Sequence, residues 1–175
     1  MKSEDEAEFH EFVLGRWSSL VRTAYLLTGD TGHAEDLVQS ALVRVYSSWG
    51  RVRGARDMDA YVMRIVLNTN KDRFRKKRVA EHLTTQFPEY GAADDSAGLE
   101  QRSALFRALM TLPVRQRSVV VLRFWEDFAE KQVASILGCS VGTVKSQAAK
   151  GLAKLRTDAG LSGLLQEPEP TEGVL

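Results

Sequence analysis

The chain has 175 residues, of which 43% are apolar and 27% charged, and its formal net charge is only +1. That length holds one domain or two small ones of ordinary soluble composition, and the near-zero total gives no support to a protein that is basic throughout. A single cysteine, Cys139, excludes an intramolecular disulfide and fits a reducing cytoplasm.

Helical periodicity dominates from the start. Phe9, Phe12, Val13, Trp17, Leu20, Val21 and Ala24 recur at three- and four-residue spacing and predict one apolar helical face. Thr28-Gly29-Asp30 ends that helix, and Asp30 is placed to cap the next, which carries Leu37, Val38, Ala41, Leu42, Val45, Tyr46 and Trp49. Gly50 to Arg56 reads as a loop, with Asp57 capping a third helix that runs through Tyr61, Val62, Ile65, Val66 and Leu67 into a basic end. From residue 80 to 98 the periodicity lapses into a Pro-, Gly- and Ser-containing acidic stretch, read as a flexible linker. Helicity resumes at Leu99, with Leu105, Phe106, Leu109 and Leu112 as its apolar face, and Pro113 opens a further helix through Val119 to Leu122. The expected fold class is therefore all-α: two small helical domains, residues 1–79 and 99–157, joined by a linker over 80–98, with a disordered acidic tail over 158–175. The acidic start MKSEDEAEF lacks the pattern of a secretory signal, and the longest aliphatic run, Val119 to Leu122, is too short to span a membrane. No membrane insertion and a cytoplasmic location are expected.

The small net charge hides strong segregation. Lys71, Arg73, Arg75, Lys76, Lys77 and Arg78 stand together against one acid, Asp72. Between Leu99 and Arg156 ten Lys/Arg face four acids, whereas residues 81–98 carry four acids and no Lys or Arg. Two basic surfaces on either side of an acidic connector suggest two contacts with one polyanion.

VASILGCSVGTVKSQ, Val133 to Gln147, identifies the second surface. Glu130 to Leu137 form an amphipathic helix, Gly138 suits the left-handed residue that ends it, and Ser140 can cap the next. Val144, Leu152 and Leu155 then face inward, while Lys145, Ser146, Gln147 and Lys150 face out. This is the pattern of a helix-turn-helix, whose second helix enters the major groove. There Gln147 can pair with adenine and Lys145 can reach guanine or phosphate, while Thr143 and Ser146 suit phosphate near a helix start. A helical hairpin with a solvated lysine face shares much of this pattern; the string Gly142-Thr143-Val144-Lys145-Ser146 is more specific.

LGCSVGTVKSQ, preceded by LPVRQRSVVVLRFWEDF, resembles region 4 of a bacterial sigma factor, and HAEDLVQSALVRVYSSW with DAYVMRIVLNTNKDRFRKKR resembles region 2. The resemblance spans roughly Glu8 to Arg156 and is to the small extracytoplasmic-function (ECF) class of the sigma-70 family, with the GTVKSQ variant similar to an actinobacterial cell-envelope-stress subgroup. It implies binding to core RNA polymerase and promoter recognition, with no catalysis and no cofactor. Asp36, Leu37, Gln39 and Arg44 would dock on the clamp helices of the largest polymerase subunit, and the flap of the second-largest subunit is a further implied contact. Tyr61, Arg64, Asn68, Lys71, Arg75 and Lys76 would meet the −10 element, with Asn68 near an extruded base and the segment Gly50 to Arg56 assigned loosely to the same task. Arg115, Thr143, Lys145, Ser146, Gln147 and Lys150 would hold the −35 element. Promoter DNA is the implied ligand, and an anti-sigma factor is a partner candidate.

The chain departs from the family at several places. Gln147 stands where arginine is common and Ala149 where a larger residue is, which should change the −35 preference. Ser40 and Leu42 replace a common Glu and Phe. Ala129 lies where Ser or Thr usually caps the first helix of the motif, so either Asp127 substitutes as the cap or the helix loses about 1 kcal/mol of cap stabilisation. Two other function classes compete. A stand-alone helix-turn-helix regulator explains the C-terminal half but leaves the RIVLNTNKDRFRKKR helix without a role. A helical enzyme lacks a paired acid–base constellation or phosphate loop, and His10, His33 and His82 lack metal-ligand spacing to one another or to Cys139.

Overall fold

The computed structural model describes residues 3–81 and 98–162, with side chains from 4–76 and 103–161, and among these residues the fold is all-α. The tail from 163 onward and the linker from 82 to 97 lie outside the described residues.

The N-terminal half packs α1 (Ser3–Thr28), α2 (Thr31–Ser47), α3 (Trp49–Arg53) and α4 (Met58–Glu81). Asp30 starts α2 as expected: its extended backbone leaves the side chain to accept from the His33 N–H at 2.8 Å. Asp57 does the same for α4, accepting from the Ala60 N–H at 3.0 Å. The apolar stripe of α2 is buried along its length, with Leu37, Val38 and Val45 at 0% exposure. A side chain of that size, fully buried, contributes about 1.5–3 kcal/mol. The expected loop at Gly50–Arg56 instead contains α3. Trp49 and Val52, three residues apart, are both buried and hold this turn to the core. The edge of the Trp49 ring meets Phe9 at a centroid distance of 5.3 Å. Arg53 clamps the turn to α1 through Asp5 at 2.5 Å and Glu8 at 2.9 Å. These carboxylates, the Glu8 hydrogen bond first, hold the Arg53 guanidinium above its ordinary pKa.

The C-terminal half comprises α5 (Gly98–Thr111), α6 (Val114–Val120), a π-helical turn (Val121–Trp125), α7 (Glu130–Leu137), α8 (Val141–Arg156) and α9 (Ala159–Ser162). Pro113 precedes α6 at the cap position, with extended backbone, rather than sitting inside the helix. Beyond α6 the chain widens: the Glu126 N–H donates to the Val121 carbonyl, five residues back, at 3.0 Å. This turn leaves Phe124 and Trp125 54% and 56% exposed, within a run that reads from sequence as plain helix. Leu105, expected on the inner face of α5, is exposed; its neighbour Phe106 points inward and stacks on Tyr25 of α1, ring centroids 4.5 Å apart.

One apolar core joins the halves. Leu20, Leu27, Leu37, Val66 and Leu67 belong to the same buried cluster as Val119, Leu122, Phe128, Val133, Ile136 and Val144. The contact runs along α1 and α4 on one side and α6, the π turn and α7 on the other.

Candidate nucleic-acid interface

Two faces divide α4. Val62, Met63, Val66 and Leu67 are buried beneath it. Tyr61, Arg64, Asn68, Lys71 and Arg75 recur at three- and four-residue steps on the other side, which makes them one stripe of a 3.6-residue helix. Arg64, Asn68, Lys71, Arg75 and Lys76 are exposed, and Tyr61 is half-buried against the core. Acids on the same half temper these cations. Asp72 pairs with Arg44 of α2 at 3.0 Å and with Arg75 at 3.7 Å, and Asp36 of α2 pairs with Arg73 at 3.7 Å. All are solvent-accessible pairs, each worth at most about 1 kcal/mol. They set which way the arginines point more than they stabilise the fold.

In the C-terminal half the turn between α7 and α8 has the geometry the residues predict. Gly138 is left-handed (φ 65°, ψ 41°) and its N–H returns to the Ala134 carbonyl, as does the Cys139 N–H at 3.0 Å. The Ser140 hydroxyl accepts from the Thr143 N–H at 3.0 Å and meets the Thr143 hydroxyl at 2.9 Å. That cap is worth about 1 kcal/mol. Val144 is fully buried and fixes the rotation of α8, leaving Lys145, Ser146 and Lys150 exposed and Gln147 and Thr143 half-exposed. Lys145 reaches Glu130 of α7 at 3.8 Å. Gly151, which sequence reasoning passed over, lets α8 cross α6 closely. A Cβ there would stand 2.8 Å from Val120 Cγ2.

One alternative falls and one expectation is corrected. Asp127 does not cap α7; it adopts a left-handed backbone, φ 56°. The Gln132 side chain takes that part, its carbonyl accepting from the Ala129 N–H at 2.7 Å. Leu37, expected to touch polymerase, is wholly enclosed between the helices of its own half, so it holds α2 in place. Asp36, Gln39 and Arg44 remain on the exposed side of α2.

The structure also brings the two sets of candidate DNA contacts together. Asn68, Lys71 and the exposed Phe74 of α4 line one groove of about 390 Å³ with Arg115 of α6 and Thr143 and Gln147 of α8. A second crevice places Tyr61 and Arg64 against Lys131 and Gln132 of α7. Lys76 lies outside both linings, as do Arg75, Lys145, Ser146 and Lys150. Sequence reasoning passed over Phe74; the signal that could have found it is an aromatic set between two cations, Arg73 and Arg75. Among the described residues no cluster of His, Cys, Asp and Glu could hold a metal ion, and no helix is long and apolar enough to cross a membrane.

Fold and site together define a two-part helical protein whose second part is a helix-turn-helix. Residues 18–79 match the family model for sigma-70 region 2, and residues 102–155 that for sigma-70 region 4. An RNA polymerase sigma-E factor of Streptomyces avermitilis is 40% identical over 151 residues, 86% of this chain and 84% of that one. The ECF RNA polymerase sigma factor SigM of Mycobacterium tuberculosis is 32% identical over 152 residues, covering 86% and 76%. The fold is shared with the sigma factor RpoE of Bartonella quintana, solved in complex with the anti-sigma factor NepR (TM-score 0.70, 23% identity, 85% of this chain and 94% of that one). The chain belongs to the sigma-70 family of RNA polymerase sigma factors, in its ECF group.

Proposed function

We propose that this chain joins core RNA polymerase in the cytoplasm and directs initiation at promoters bearing its own −10 and −35 elements. The polymerase supplies the chemistry and this chain supplies recognition. The observation that carries the reading is the pair of polar, cation-bearing helix faces, one on α4 and one on α8, each within its own sigma-70 segment.

Opening the −10 duplex breaks stacking worth about 1.4 kcal/mol per step. The stripe from Tyr61 to Lys76 offsets this by holding the opened strand: Arg64, Lys71, Arg75 and Lys76 attract its phosphates, the Asn68 amide can both donate and accept toward an extruded base, and Tyr61 offers a ring for stacking. Lys145, Ser146, Gln147 and Lys150, near the N-terminal half of α8, meet the −35 major groove, with Thr143 and Arg115 on phosphate. Polymerase docking falls to Asp36, Gln39 and Arg44 against the clamp helices of the largest subunit, with region 4 on the flap of the second-largest. Relatives of the fold solved with anti-sigma factors support such a partner here. The domain limits that fit this division of labour are 1–79 and 99–157.

Run-off transcription from a pool of genomic fragments, with core polymerase alone and with this chain added, tests the reading. New discrete start sites that require the chain are expected, and aligning them yields both elements. No new starts, with duplex footprints formed in the absence of polymerase, would instead make the chain a stand-alone regulator.

A further inference from the structure

The groove of about 390 Å³ between α4, α6 and the α7–α8 turn has a lining that promoter contacts do not explain. Its floor is apolar: Leu67, Val119 and Ile136 are 8%, 1% and 4% exposed. Set into that lining is Asn70 of α4, a residue assigned to neither promoter element. Asn70 is 6% exposed, and its side-chain amide has no hydrogen-bond partner among the described residues. Buried amides in folded proteins are bonded almost without exception, so an open one on the wall of a cavity marks a place for a partner. Ser118, the other buried polar residue of the lining, is committed elsewhere: its hydroxyl donates to the Val114 carbonyl at 2.8 Å.

The charge around the groove has one sign. Lys71 of α4 and Arg115 of α6 are exposed along it, and neither forms an ion pair among the described residues. No Asp or Glu lines it. Cations of one sign on a concave apolar wall raise the local concentration of anions, and a guanidinium matches a carboxylate through two parallel N–H bonds. The volume falls in the range of sites that enclose a drug-sized molecule. A bare inorganic anion would answer the two cations and leave the floor uncovered. A neutral apolar molecule would cover the floor and leave Lys71, Arg115 and Asn70 unanswered. A molecule with both parts answers all of them.

We propose that this groove is a binding site for a small amphipathic carboxylate. Its ring or chain lies on Leu67, Val119 and Ile136, its carboxylate meets Lys71 and Arg115, and a hydroxyl or carbonyl on the chain bonds the Asn70 amide.

The test titrates the full-length chain, without polymerase, with a panel of phenylalkanoates, their para-hydroxyphenyl counterparts and the uncharged carboxamide of each. Calorimetry should show one site, with a Kd of about 0.1–1 mM for the best member and a carboxamide at least about tenfold weaker. Cys139, the one thiol of the chain, lines the groove and reports the location. Its alkylation by N-ethylmaleimide should slow about fivefold at about four times the Kd, where one site in five is free. Asn70→Ala removes an unbonded amide and should keep the helical circular dichroism. It should weaken the hydroxylated members about fivefold, the worth of one hydrogen bond, and leave the parent phenylalkanoates unchanged. Arg115→Gln should narrow the preference for carboxylate over carboxamide. No member binding with a Kd below about 10 mM overturns the proposal, as does equal binding of carboxylate and carboxamide, or binding that leaves Cys139 unprotected. Unchanged affinities in Asn70→Ala overturn the part given to that amide. Calorimetry and thiol protection use the unsubstituted chain, so they decide the site even if a variant fails to fold. Neither involves polymerase or promoter: a chain that starts no transcript loses the proposed function and keeps the site.

Discussion

Region 2 and region 4 each present cations along a helix, but they hold that helix by opposite means. α4 lies on a bed of side chains, with Val62, Met63, Val66 and Leu67 all buried beneath it. α8 rests on fewer, with Val144 and Gly151 its buried residues, and its close approach depends on a missing one: Gly151 brings its backbone against Val120. The position of α4 therefore depends on volume that is present, and that of α8 on volume that is missing. The two should fail under opposite substitutions.

Removing volume under α4 has the largest expected effect. Met63→Ala should cost about 3 kcal/mol of unfolding free energy, measured by urea denaturation, with the loss centred in region 2. Adding volume under α8 comes next. Gly151→Ala gains about 1 kcal/mol of helix propensity but drives a methyl into the buried Val120, an overpacking cost of up to about 3 kcal/mol. A net loss of about 1–2 kcal/mol is expected, and a stabilised Gly151→Ala chain would break the comparison.

Salt dependence sharpens it from the DNA side. In holoenzyme binding to a promoter fragment, Lys150→Gln should lower the slope of log affinity against log salt by about 0.9, the value for a duplex phosphate, and Lys76→Gln by about 0.7, the value for a single strand. Equal changes would mean that both helices meet duplex. The smallest effect is a pH dependence. Asp57 is held below its usual pKa of 3.8 by the Ala60 N–H first and the Gln132 amide second, against the opposing effect of burial. A lowered folded pKa gives stability that is present above the unfolded value and lost as pH falls through the folded one. Acidification below about 3.8 should thus loosen the start of α4, and Gln132→Ala should shrink that loss, as read by circular dichroism along a pH titration.

The local parts of this structure were legible in the residues. Asp30, Asp57, Gly138 and Ser140 each act through a bond within three or four positions, so their spacing announces them. What escaped depends on distant partners. α3 exists because Trp49 and Val52 find a core laid down by α1. The cap on Ala129 comes from Gln132, whose other hydrogen bond crosses 75 residues to Asp57. Leu37 has the same pattern whether it meets its own core or a partner's helix, and only packing separates the two. The meeting of the two candidate DNA faces has no local signature at all.

The π turn at Val121–Trp125 acts as a phase shifter. Each residue of an α-helix advances the chain by about 100°. One surplus residue, absorbed in the wide turn, resets the angle at which everything downstream leaves α6. Downstream of that reset Phe128 is buried in the core and α7 lies against α4. The orientation of the whole helix-turn-helix is therefore a matter of count as much as of composition: deleting any one residue from the turn would keep every motif intact and rotate the recognition helix off its bearing.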